Sequence, residues 1–364
     1  MSLQYIFGGS GAGKSTYLYN SIIKESIKNP LENYIIVVPE QYTMATQKRV
    51  VELHPRKGVL NIDVVSFERL AYKVFEEVGA ADYPVLDDTG KNLIVRRVLE
   101  QNKKALRFFG SNISNTGFVS ELKSVISEML QYDISVDKLL DINKNVDNNS
   151  LLGMKLDDIS LIYGGFREFI KNNYITSEEI LDLMCRKVTE SSKIRGSVIA
   201  FDGFTGFTPV QYRLMAILLD MCKEVKVALT IDISEHVNIN EGIESLFYMT
   251  KDTVAHLNRI CDEGHINVDK VTVGEDTMLT RFAASKELAF LEKNIFRPGL
   301  RYYSGKVNDI VMYAGITPKD EIQYVSGEIL KLTRLQGFRY NEIAVVTGDI
   351  SVYGLSLIHI SEPT

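Results

Sequence analysis

The stretch Ile6–Thr16 reads IFGGSGAGKST, a short apolar segment that runs straight into glycines at 8, 9, 11 and 13, then Lys14 and Ser15. It satisfies the G-x-x-x-x-G-K-[ST] pattern with nothing missing. Such a stretch confines the fold, because the pattern works only where a strand ends and a helix begins. Gln4–Phe7 reads as that strand and Ser15–Glu25 as that helix. Successive backbone N–H groups in such a turn face phosphate oxygens, and the helix N-terminus behind them adds partial positive charge. Lys14 then reaches the β- and γ-phosphates and the Ser15 hydroxyl ligates Mg2+. The candidate nucleotide-binding residues are therefore Gly8, Gly9, Ser10, Gly11, Ala12, Gly13, Lys14, Ser15 and Thr16. A glycine-rich turn with no ligand is the alternative.

Apolar runs continue the strand–helix alternation. Asn33–Val38 (NYIIVV) is all apolar after its first residue, as in a buried parallel strand, and it ends at Pro39-Glu40-Gln41. Asn61–Ser66 (NIDVVS) reads as a third strand, followed by a helix with Phe67, Leu70, Ala71 and Val74 on one face. From about Asp87 to Ser192 the spacing becomes helical, as in Phe118, Leu122, Val125, Ile126 and Met129. Strand chemistry resumes at Ser197–Phe201 (SVIAF), which leads into Asp202-Gly203-Phe204, and at Val225–Ile231 (VKVALTI), with helices near Pro209–Cys222 and Tyr248–Cys261. A helical domain inserted into a parallel-sheet domain accounts for the long interval between Lys14 and Asp202. After Arg297, strands at Asp309–Tyr313 and Glu342–Thr347 flank a helix at Lys319–Gln336 and start a second sheet. The expected organisation is 1–86 and 193–297 for the first sheet domain, 87–192 for the helical insertion and 298–354 for the start of the second. Residues 355–364 (LSLIHISEPT) match the in-frame translation of a sequencing adapter, so this tail is expected to be an artefact, with the natural chain continuing past Gly354.

Charge narrows the function classes. Lys+Arg 41 against Asp+Glu 47 leaves −6, which argues against a free-standing basic nucleic-acid binder and leaves room for a local groove. The three cysteines, Cys185, Cys222 and Cys261, have neither disulfide-framework nor zinc spacing and suit a reducing cytoplasm. No signal segment and no membrane-length apolar run is present. The expectation is a cytoplasmic protein with no membrane partner.

A phosphate-binding loop alone names no reaction. The spacing and the second sheet segment favour a superfamily 1 helicase core, built from two RecA-like domains with helical insertions. A closer resemblance is carried by LQYIFGGSGAGKST at the N-terminus, PEQYTMATQ at 39–47, VVSFERLAYKVF at 64–75, LDDTGK at 86–91, FDGFTGFTPVQ at 201–211 and EIAVVTGD at 342–349. In order and over residues 1–354, these resemble the AddB subunit of bacterial AddAB helicase–nucleases. The resemblance implies an α/β fold: a RecA-like P-loop parallel-sheet domain with an inserted helical domain, and the start of a second RecA-like domain. It implies ATP as the nucleotide, an AddA helicase–nuclease subunit as heterodimer partner, and double-stranded DNA ends and single-stranded DNA as substrates. The implied complex resects double-strand breaks for recombinational repair and recognises a Chi-type sequence. It also implies a C-terminal nuclease with an iron–sulfur cluster, beyond this chain, so neither catalytic nuclease residues nor cluster ligands are expected here. Two other readings stay open: an autonomous ATP-driven DNA translocase, and a structural DNA-binding subunit whose P-loop is vestigial.

One departure bears on mechanism. Active helicases of this class carry Asp-Glu at the strand end, the Asp holding Mg2+ through water and the Glu positioning the attacking water. Here Asp202 is followed by Gly203, so Mg2+ has Ser15 and Asp202, and hydrolysis is expected to be poor. Gln41, Tyr42 and Thr43 fall where helicases contact single-stranded DNA, and Ser66 and Arg69 sit on the next strand-to-helix turn. Plain strand-end loops are the alternative for both groups. Lys48-Arg49, Arg56-Lys57 and Arg96-Arg97 read as solvated faces.

Overall fold

A computed structural model describes residues 1–364 except 80–83, 112, 114, 148, 172–173, 239–241, 275–280, 298, 300, 351 and 355–364, so the expected tail lies outside the described residues. The chain divides into two units, Met1–Ala283 and Ala284–Thr364. In the first, the apolar runs become strands separated by helices: β1 (Ser2–Gly8), α1 (Lys14–Lys28), β2 (Tyr34–Val37), α2 (Thr43–Leu53), β3 (Ile62–Val65) and α3 (Phe67–Val78). Next come β4 (Val85–Leu86), α4 (Asp88–Asn102), α5 (Thr116–Gln131), α6 (Val136–Asn143), α7 (Leu151–Ile170), β5 (Ile175–Thr176) and α8 (Ile180–Lys187). The unit closes with β6 (Val198–Phe201), α9 (Pro209–Met221), β7 (Glu224–Thr230), α10 (Tyr248–Glu263) and β8 (Asn267–Thr272).

Six strands form one sheet in the order β3-β2-β6-β7-β1-β8, and every neighbouring pair is parallel. Parallel strands need crossovers, and the crossover helices cover both faces, so the central strands read as unbroken apolar runs. Within β2 the side chains still alternate. Ile35 and Val37 face a core shared with α3, α8, α9 and α10, while Tyr34 and Ile36 face one shared with α1 and α2. Because all six strands run the same way, their C-terminal ends share one edge, where open α/β sheets place their ligands.

The helices α4, α5 and α7 pack around a core of their own that includes Val95, Leu99, Leu122, Ile126, Ile162 and Phe166. Two details differ from the sequence reading of 87–192. The interval contains β5, which pairs in parallel with β4 through Val85↔Ile175 and Leu86↔Thr176 and closes the base of the excursion. The helix α8 lies inside the interval but buries Ile180 and Met184 in the sheet core, because its apolar stripe meets α3 and α9.

The second unit contains α11 (Lys286–Asn294) and α12 (Pro318–Leu335). The start of α12 is fixed by Thr317, whose hydroxyl accepts from Asp320 N–H while the Asp320 carboxylate accepts from Thr317 N–H, with Pro318 in the first turn. The strands expected at 309–313 and 342–347 are not formed. A β-strand needs a ladder partner, and among the described residues these runs have none. Val311, Met312 and Val346 consequently stay 73%, 94% and 93% exposed. No helix among the described residues is long and apolar enough to cross a membrane.

A buried ion pair ties α4 to the segment after β5. Lys91 is 1% exposed, and its Nζ donates to Glu178 Oε1 at 2.7 Å and to Ser177 Oγ at 3.1 Å. Burial opposes the charge on Glu178, yet the Lys91 ammonium outweighs it and holds the carboxyl below its ordinary range. Removing one partner strands the other charge in the interior. Lys91→Met is therefore expected to cost about 3 kcal/mol in urea denaturation. Adding Glu178→Leu should recover most of that loss; a double variant as unstable as the single one would contradict this account.

Candidate phosphate-binding site

The glycine-rich turn lies at the C-terminal edge of the sheet, between β1 and α1. Its last glycine, Gly13, caps α1 in a left-handed conformation with φ 95°. The first helical bond is Tyr17 N–H to Gly13 O at 2.9 Å, so the amides of the first turn face out of the helix end. The Lys14 ammonium folds back over the turn, donating to Gly8 O at 3.1 Å and Gly9 O at 2.9 Å. Gly8 is required for space: a Cβ there would sit 2.6 Å from the carbonyl oxygen of Val273, where the chain leaves β8. Gly9 is half-buried, Ala12 is buried, and Ser10 and Thr16 are exposed.

The crossover from β1 to β2 takes α1 past β7 and β6, which lie between them in the sheet. That path brings Tyr19, one turn beyond Ser15, onto the end of β6. Its hydroxyl donates to Asp202 Oδ2 at 2.5 Å, and both residues are 6% exposed. Burial and then the adjacent Asp202 carboxylate push the Tyr19 phenol up, and the Ser15 and Thr46 hydroxyls act on the same group. Tyr19 thus ties α1, which carries Ser15 in its first turn, to Asp202 at the end of β6. Sequence reasoning missed Tyr19, which sits among the buried residues of α1 as one more large side chain.

The segment after β6 is an anchored turn. Gly203 has φ +81°, and a Cβ there would lie 3.4 Å from Pro39 Cδ and 3.6 Å from Tyr42. Phe204 and Phe207 pack against Phe67 and Phe201 with ring centroids 5.3–6.4 Å apart, and against each other at 5.2 Å. Thr208 then caps α9 and its backbone N–H donates to the Gln211 side chain. At the end of β7, Asp232 Oδ1 accepts from Ser234 N–H at 2.9 Å and from Ser234 Oγ at 2.8 Å, which holds that carboxylate in its own turn.

The candidate DNA residues divide in two. Thr43 is 2% exposed and its hydroxyl donates to Glu40 O at 2.9 Å. Ser66 is 5% exposed and accepts from Arg69 N–H as the cap of α3. Both hydroxyls act within local structure. Gln41, Tyr42 and Arg69 are exposed, and Arg69 pairs with Glu40 at 2.9 Å. Because β2 lies between β3 and β6, these three share the edge with Asp202.

In chemical terms the turn is a cradle of backbone dipoles with one ammonium, next to a hydroxyl and a carboxylate. Those oxygen donors suit a hard cation that keeps waters and takes phosphate oxygens for its other ligands. Among the described residues no group of three His, Cys, Asp or Glu side chains could hold a metal by itself.

Residues 5–292 match the family described as "ADDB, N-terminal". A protein from Lachnoclostridium phytofermentans, named as the B subunit of an ATP-dependent helicase/deoxyribonuclease, is 42% identical over 357 residues, which cover 97% of this chain and 31% of that protein. Proteins of the same name from Clostridium novyi and Clostridioides difficile are 32% and 33% identical, covering 97% and 99% of this chain and 31% of each relative. The chain therefore spans under a third of the length of these relatives. On the strength of the matched residues and these identities, the chain belongs to the AddB family and corresponds to its N-terminal part.

Proposed function

We propose that this chain is the helicase-like, ATP-binding part of the B subunit of a heterodimeric helicase/exonuclease that resects DNA double-strand breaks. The observation that carries the reading is the glycine-rich turn at the edge of a parallel sheet, with Lys14 folded over it and Asp202 tied to α1 through Tyr19. In this reading the first sheet is a RecA-like domain and residues 298–354 open a second. Gly8–Thr16 hold ATP, with Ser15 and Asp202 on Mg2+, which neutralises phosphate charge when bound. Membership of the AddB family supports the larger setting: an AddA partner, DNA ends and single-stranded DNA as substrates, and Chi recognition on the emerging strand. The iron–sulfur cluster and nuclease chemistry then belong to sequence outside this chain. A cytoplasmic location goes with that work and with three buried, unpaired thiols.

ATP is held here more readily than it is cleaved. Phosphoryl transfer to water needs a group that orients the nucleophile, and the position after Asp202 offers only Gly203. The backbone there explains why: a glutamate would have to adopt a left-handed conformation with its Cβ against Pro39. The carboxylate at the next strand end, Asp232, is engaged by Ser234.

Equilibrium binding of ATP with Mg2+ tests the reading, and Lys14→Ala should abolish it with an unchanged melting temperature. A Lys14→Ala protein that binds ATP like the parent would remove the turn from the site. Steady-state turnover with single-stranded DNA should stay below about one per second. Faster turnover, lost in Asp232→Ala, would show that the second strand end supplies the base. Gly203→Glu should lower stability by about 1–2 kcal/mol from backbone strain without raising turnover. A faster Gly203→Glu enzyme would mean that the missing carboxylate alone sets the rate.

A further inference from the structure

The chain returns to the glycine-rich turn after β8. Gly274, with φ +99°, lies where a Cβ would be 2.8 Å from Ala12 Cβ, and Arg281 N–H donates to Gly11 O at 3.0 Å. Gly11 has φ +74°, and the place its Cβ would take is 2.8 Å from Arg281 Cβ, 3.4 Å from the Phe282 ring and 3.7 Å from Arg281 Cδ. Arg281 is thus fixed by its backbone and stem against the middle of the turn. Its side chain is exposed, and among the described residues its guanidinium has no hydrogen-bond or ion-pair partner. Arg69, exposed at the same sheet edge, is by contrast paired with Glu40. An unpaired guanidinium whose stem rests on a phosphate-type turn is placed to take an anion bound there.

We propose that Arg281 is a second cation for the bound nucleotide, its guanidinium binding the polyphosphate from the β8 side while Lys14 holds it from α1. The proposal rests on the nucleotide reading of the Gly8–Thr16 turn. Physically it answers a charge deficit: a triphosphate carries several negative charges, and Lys14 is a single ammonium already shared with two carbonyls. A guanidinium presents a planar fork that matches two phosphate oxygens at once, which an ammonium does not. It also explains why Gly11 lacks a side chain, since any Cβ there would displace Arg281 from the turn.

The test uses the intact chain, with ATP and inorganic tripolyphosphate titrated calorimetrically against the parent, Arg281→Ala, Arg281→Lys and Lys14→Ala. Arg281→Ala should weaken both ligands by the same factor, about tenfold, and flatten the salt dependence of binding, with Arg281→Lys intermediate and melting temperatures unchanged. Parent-like ATP affinity in Arg281→Ala, beside a Lys14→Ala protein that binds nothing, would overturn the proposal and leave the nucleotide reading standing. Loss of ATP affinity with tripolyphosphate unaffected would also overturn it, assigning Arg281 to the nucleoside. A parent that binds neither ligand would overturn both.

Discussion

A strand buried on both faces has to satisfy all its backbone donors and acceptors within the sheet, and β1 does so with parallel partners on either side. Leu3 through Gly8 register against Val225 through Thr230 of β7, and Ser2 through Phe7 against Asn267 through Thr272 of β8. That double ladder sets where the glycine-rich turn emerges and what surrounds it. On one side the exit of β7 delivers Asp232; on the other the exit of β8 delivers the Val273 carbonyl, Gly274 and Arg281. The crossover helix α1 has to travel from β1 to β2, and its route over β6 is what carries Tyr19 to Asp202. The local chemistry of the turn is therefore inseparable from the parallel register beneath it.

How much of this is legible in the sequence depends on how tightly the information is clustered. Gly8 to Ser15 spell the turn in consecutive residues, and Asn33–Val38 and Ser197–Phe201 announce central strands because burial on both faces leaves no polar alternation. β8 escapes the same reading. As an edge strand with a partner on one side, its sequence NVDKVT has no apolar run, and its side chains are exposed or half-buried. Tyr19 and Arg281 are invisible for another reason: each acts through a contact made by the fold, across 183 residues to Asp202 in the first case and back to Gly11 in the second. The opposite error occurs at 309–313 and 342–347, where apolar character suggests strands but no ladder partner is at hand among the described residues. The spacing of apolar residues specifies what a segment would bury, and only a neighbour makes it a strand.

The candidate DNA residues show the same distinction at the level of single side chains. A sequence pattern treats Gln41, Tyr42, Thr43, Ser66 and Arg69 alike, since all are polar groups at strand ends. Local hydrogen bonding separates them: the Thr43 hydroxyl donates back to the Glu40 carbonyl and the Ser66 hydroxyl caps α3, as short hydroxylated residues at such positions commonly do. Gln41, Tyr42 and Arg69 remain on the surface, with Tyr42 beside Gly203, whose left-handed backbone favours glycine. A groove at this edge would thus be read by an amide, an aromatic face and a guanidinium.

The segment FDGFTGFTPVQ brings these constraints together. Each residue in it that the structure explains serves to immobilise: Phe201, Phe204 and Phe207 interlock with Phe67, Gly203 lets the chain turn beside Pro39, and Thr208 with Gln211 closes the start of α9. Asp202 is held by Tyr19 of α1, the helix that leaves the glycine-rich turn. A turn built this way fixes Asp202 against α1. The position after Asp202 is a glycine and brings no carboxylate that could orient a water molecule, the feature on which slow turnover in the proposed reading rests. In the proposed reading, nucleotide at this site therefore acts as a structural ligand: it joins β1, β6 and the exit of β8 at the edge that also carries Gln41, Tyr42 and Arg69, so occupancy of the turn and the shape of that edge are physically coupled.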